Sequence, residues 1–73
     1  MFFGKNLKYL RKNKKLSQEN LGKNLNLTRD SIASLELERA MPSFETLINI
    51  RNYFNVNLDD LIFEDLENKQ KER

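Results

Sequence analysis

Apolar positions recur at intervals of three and four along most of this 73-residue chain, the period of helices with one buried face. Phe3, Leu7 and Leu10 predict a first helix over about residues 3 to 13, with Phe3 anchoring its start and lysines on the opposite face. Leu21 and Leu25 mark a second helix over about 17 to 24, and Ile32 and Leu35 a third over about 28 to 36. Ser17 and Thr28 open them, because a side-chain oxygen can accept an amide proton left unpaired in a first helical turn. Met41 precedes Pro42 and is expected to be extended. Ser43 then caps a fourth helix over about 44 to 54, with Glu45 in its first turn and Leu47, Ile50 and Phe54 inward. Asn57 caps a fifth helix that carries Asp59 and Asp60 in its first turn and faces Leu58 and Leu61 to the core.

Leu21, Leu25, Ile32 and Leu35 are placed to meet in one core around a tight turn. The turn holds Asn26, which tolerates a left-handed backbone, and the apolar Leu27, which plugs the gap between the two helices. Residues 17–36 therefore read as a helix-turn-helix. To this unit are added Leu16-Ser17-Gln18-Glu19, Thr28–Arg29, Leu35–Glu36, Pro42–Ser43 and Glu45-Thr46-Leu47. On these residues the chain resembles the phage-repressor-like helix-turn-helix proteins of the Cro and lambda-repressor type, the XRE-like family. The resemblance implies an all-α fold: a compact five-helix lambda-repressor-like DNA-binding domain over residues 1–67, followed by a charged, frayed tail at 68–73. It also implies that Arg11 pairs with Glu36 and clamps the first helix to the third. Three positions depart from the family pattern: Gly22 stands where Ala is usual, Asn26 where Gly is usual, and Glu38 where Gly often ends the recognition helix. A left-handed Glu costs roughly 1–2 kcal/mol, so the third helix is expected to continue toward Arg39.

Composition narrows the chemistry. The chain has neither Cys nor His, so disulfides, thiolates and the commonest metal ligand are missing. It shows no metal-ligand spacing, nucleophile elbow or phosphate-binding glycine loop, and no cofactor or small-molecule ligand is expected. Asp59–Asp60 and Glu64–Asp65 read as solvated helix acids, not as a catalytic pair. Met1-Phe2-Phe3 is followed at once by polar residues, far short of a signal segment or membrane span, and the chain reads as cytoplasmic. The net charge of +2 is unevenly placed. Six cations and no acid lie between Lys5 and Lys15, and five acids and no cation between Asp59 and Glu67. One reading is a basic end turned toward an anion. The other is two solvated helix faces.

The resemblance implies that Arg29, Asp30, Ala33 and Ser34, on the outer surface of the third helix, face base edges in a major groove. Arg29 suits the O6 and N7 of a guanine, Asp30 a cytosine amino group or Arg29 itself, Ala33 a thymine methyl, and Ser34 several bases. Gln18 is the family's usual phosphate contact, with Asn20, Thr28, Ser31, Arg39 and Ser43 as companions, and Lys14 and Lys15 as flanking cations or loop residues. The expected partner is double-stranded DNA carrying an inverted repeat. A homodimer is expected through Ile62, Phe63 and Leu66 of the fifth helix, with help from Phe54 or Val56. The alternative has Phe63 or Leu66 folding back onto Phe2, Phe3 or the fourth helix. The function implied is a DNA-binding transcriptional regulator, a homodimeric repressor or autoregulator. The alternative is an antitoxin or other interaction module whose helix-turn-helix serves a partner protein.

Overall fold

The computed structural model describes residues 1–71, with the backbone alone for residues 70 and 71. Six helices follow one another: α1 (Phe3–Asn13), α2 (Gln18–Asn24), α3 (Arg29–Glu36), α4 (Phe44–Phe54), α5 (Leu58–Phe63) and α6 (Leu66–Lys71). Hydroxyl caps set three of the starts. Ser17, Thr28 and Ser43 accept the amides of Asn20, Ser31 and Thr46 at 3.0, 3.0 and 3.1 Å, each cap being worth about 1 kcal/mol. The Asn57 amide oxygen does the same for α5, accepting from Asp59 at 2.8 Å. Among the described residues, no helix is long and apolar enough to cross a membrane.

The helix ends are less conventional. The backbone is left-handed at Lys15, Asn26, Glu38 and Asn55, while both glycines lie inside helices. Glu38 corrects one expectation: α3 stops at Glu36 and does not run on toward Arg39. The left-handed turn closes two orphan carbonyls, with the Glu38 amide donating to Leu35 (3.2 Å) and the Arg39 amide to Ser34 (2.9 Å). Packing pins the same point. A Cβ at Gly4 of α1 would stand 2.6 Å from the Glu36 carbonyl oxygen and 2.9 Å from that of Leu35, so only glycine lets α1 approach the end of α3 this closely. Glu38→Gly is expected to raise stability by about 0.5–1 kcal/mol in urea denaturation, since it relieves the left-handed strain and removes an acid from a helix C-terminus. Gly22 serves a similar purpose in α2. The usual alanine would set its Cβ 2.7 Å from the Leu27 carbonyl oxygen, where the turn folds back over the helix.

Phe3, Leu7, Leu21, Ile32, Leu35, Ile50, Phe54 and Leu61 form the core, with Leu10, Leu16, Leu25, Leu27 and Leu47 packed around them. Asn26 and Leu27 do what the turn required, the first left-handed and the second half-buried against the core. Leu58, expected inward, is half-buried and outside this cluster.

The C-terminal end differs most from the five-helix expectation. α5 stops at Phe63, Glu64 is extended (φ −101°, ψ 145°), and α6 begins at Leu66. Leu66 therefore does not share a helix with Ile62 and Phe63. The expected tail begins inside α6, and residues 72 and 73 lie outside the described residues. Asn6 of α1 accounts for the break. Its side chain is fully buried, its Nδ2 donates to the carbonyls of Leu61 and Glu64 at 2.7 Å each, and its Oδ1 accepts the Leu66 amide at 3.1 Å. One amide thus satisfies the end of one helix and the start of the next. Beside it, Lys5 Nζ lies 2.7 Å from Asp65 Oδ2. The Lys5 ammonium, helped by Asn68, holds the Asp65 carboxyl below its ordinary pKa, against partial burial that acts the other way. A depressed carboxyl stabilises the fold above its unfolded pKa and ceases to as pH falls through the folded value. Protection of the α6 amides, corrected for their intrinsic exchange rates, should accordingly fall below about pH 4 and stay flat through neutrality.

Candidate nucleic-acid interface

α2 and α3 are held at a fixed angle by a polar contact behind them. Arg11 Nε donates to Glu36 Oε2 at 2.6 Å and Nη2 to Glu36 Oε1 at 3.1 Å, while Nη1 reaches the Leu16 carbonyl at 2.8 Å. The two side chains are 10% and 3% exposed. The expected clamp between α1 and α3 is therefore present, and it extends further than expected. Gln18, in the first turn of α2, donates its Nε2 to Glu36 Oε1 at 3.1 Å. This leaves Gln18 one amide proton for an external acceptor.

Two clefts run along α3. Arg29 borders the first together with Arg11, Ser17 and Gln18. Asp30, Ser31, Ser34, Ser43 and Thr46 line the second, between α3 and the start of α4. Arg29 and Asp30 are thus neighbours in sequence that border different clefts. Asn20, Thr28 and Arg39 are exposed, and Ala33 and Ser34 half-buried.

The cap hydroxyls of α3 and α4 are each paired with a second hydroxyl. Thr28 gives its own proton to Ser31 Oγ at 2.9 Å, and Ser43 gives its proton to Thr46 Oγ1 at 3.0 Å. A hydroxyl donates once, so each pair keeps one proton that can be aimed at an anion. Thr46 lines the second cleft without being among the residues expected there from the sequence. The Ser43-x-x-Thr46 spacing that makes it the cap's partner was the available signal. Lys14 is engaged elsewhere, its Nζ lying 5.0 Å from the Tyr53 ring centroid and 5.9 Å from that of Phe54, a cation–π contact that ties the end of α1 to α4.

A helix-turn-helix domain family matches residues 4–63. The chain is 45% identical over 60 residues to the uncharacterized HTH-type transcriptional regulator YqaE of Bacillus subtilis, covering 82% of this chain and 52% of that protein. It is 36% identical over 62 residues to the HTH-type transcriptional activator BcrR of Enterococcus faecalis, covering 85% of this chain and 30% of that one. A third similarity, 37% over 62 residues, is to the uncharacterized HTH-type transcriptional regulator MJ0272 of Methanocaldococcus jannaschii, covering 84% and 94%. The chain therefore spans about half of the first relative, less of the second and nearly all of the third. No solved structure matches it significantly. The helix pair, its turn and the matched span lead to one conclusion: this chain belongs to the XRE-like helix-turn-helix family.

Proposed function

We propose that the chain is a sequence-specific DNA-binding regulator of transcription that inserts α3 into the major groove and binds an inverted repeat as a homodimer. The observation that carries this reading is the outer face of α3. Its first turn is exposed and polar, its far end is locked by Arg11 and Glu36, and clefts carrying polar side chains flank it on both sides. Arg29, Asp30, Ala33 and Ser34 are the base-facing residues in this reading. Gln18, Asn20, Thr28, Ser31, Arg39 and Ser43 line the backbone on either side, with Thr46 added as a donor. Phe63 is 62% exposed at the end of α5, beside the half-buried Ile62, and these two form the dimer contact. Phe54 contributes no surface to it, being buried in the core. BcrR is named as an activator, so operator occupancy is what we assign to this domain, and repression follows where the operator overlaps a promoter.

Selection of bound duplexes from a random library tests the reading. The expected result is an inverted repeat with half-sites about one helical turn apart. Arg29→Ala should relax one position of each half-site by about 1–3 kcal/mol, and Phe63→Glu should reduce the selected site to a single half. Salt-sensitive binding to every duplex, with no enriched motif, would sink the proposal and point to a protein partner for the helix-turn-helix.

A further inference from the structure

The structure sorts the six cations between Lys5 and Lys15 into two groups. Three are engaged within the molecule: Lys5 by Asp65, Arg11 by Glu36, and Lys14 by the rings of Tyr53 and Phe54. Lys8, Lys12 and Lys15 are exposed, and their ammonium groups meet no acid and no ring among the described residues. Lys8 and Lys12 are four apart on α1, so two like charges stand one above the other, an arrangement that weakens a helix slightly. They share a surface groove with Lys5, Tyr9 and Glu67.

Their place in the fold gives the row a direction. Lys12 follows Arg11, which borders the same cleft as Ser17, Gln18 and Arg29. Lys15 stands two residues before the cap of α2, in the left-handed turn that joins α1 to it. Lys12 and Lys15 thus stand at the end of α1 that leads into α2, with Lys8 one turn back along the helix. The recognition segment from Thr28 to Arg39 holds Arg29 and Arg39 against Asp30, Glu36 and Glu38, so it supplies no net positive field.

We propose that Lys8, Lys12 and Lys15 form a phosphate track that extends the DNA contact beyond the half-site read by α3. This rests on the DNA-binding reading above and adds a ligand to it: the sugar-phosphate backbone of flanking duplex, held by charge without regard to sequence.

The test uses the selected operator in two lengths, trimmed to the inverted repeat or extended by about one helical turn (about 10 bp) on each side. Wild type is compared with the triple variant Lys8→Gln, Lys12→Gln, Lys15→Gly by anisotropy across a salt series. On the extended duplex the slope of log K against log salt should fall by about 5, since each lost phosphate contact removes about 0.9 and the homodimer loses three on each side. The base preference should stay the same, and on the trimmed duplex the two proteins should bind alike. Lys15→Gly alone should raise the melting temperature, by relieving a left-handed lysine, while weakening binding to the extended duplex. If these lysines merely complement the dipole of α1, stability falls and binding does not move, and the track is overturned. An unchanged slope, or an equal loss on both duplexes, overturns it too. Wild type showing no preference for the operator would instead remove the DNA reading on which the track depends.

Discussion

Glu36→Ala is expected to lower stability by about 3–5 kcal/mol, the largest effect of any single replacement considered for this domain. The reason is asymmetry. The paired carboxylate and guanidinium satisfy one another in a site only 3% and 10% exposed, but removing the carboxylate leaves the Arg11 charge there without a counter-ion. A small domain has only about 5–15 kcal/mol in hand, so the variant should be partly unfolded at ordinary temperature. Urea denaturation of Glu36→Ala, Arg11→Met and the double variant Arg11→Met/Glu36→Leu measures it. The double variant should recover much of the loss, because it strands no charge. A single-variant loss under about 1 kcal/mol would equate the pair with an exposed salt bridge and refute the argument. Gln18 shares the same carboxylate, so its side chain should lose its fixed orientation in Glu36→Ala.

Asn6→Leu is expected to cost about 2–4 kcal/mol and to act at the other end of the molecule. Leucine keeps the branched four-atom skeleton of asparagine and is the bulkier of the two, so none of the loss comes from an empty cavity. It comes from the carbonyls of Leu61 and Glu64 and the amide of Leu66, which lose their partner together. Asn6→Asp should be about as damaging, since a carboxylate would face two carbonyl oxygens. Amide exchange distinguishes this from general weakening: α6 should exchange rapidly in both variants while α2 and α3 keep their protection relative to global stability. Uniform acceleration across all helices would show that the amide does not govern the α5–α6 junction.

What the sequence made legible depended on how far apart the determining residues stand. Caps and helical spacing act within four residues, and the bounds of α1 and α4 followed from Phe3, Leu7, Leu10, Ser43, Leu47 and Phe54 alone. The turn at Asn26 and Leu27 was equally local. The Arg11–Glu36 pair spans 25 positions and was reached only through family resemblance. The break after Phe63 could not be read at all. Its cause is an asparagine more than fifty positions away, and nothing in the run Leu58 to Leu66 announces it. The end of α3 was misjudged because the strain at Glu38 was weighed without the tight approach of Gly4. At the candidate interface, the residue types and their helix were legible. The destinations of the Thr28 and Ser43 protons, and of Lys14, were not, because each depends on a neighbour's rotamer or on a ring brought in by α4.

The Asn6 contacts also bear on how the chain closes. Asn6 reaches Leu61, Glu64 and Leu66 across 55, 58 and 60 positions, and Phe2 donates its amide to the Ile62 carbonyl at 2.8 Å. Residues 2 and 6 are thus tied to residues 61–66, and the segment between forms a loop. The α2–α3 hairpin makes its contacts locally and needs little chain entropy to do so, whereas the α1–α5–α6 seam must close nearly the whole chain. The seam is accordingly expected to assemble last and to part first. Native-state amide exchange should therefore show the α1–α5–α6 seam opening before the α2–α3 hairpin, an opening that uncovers Leu7 and Leu61.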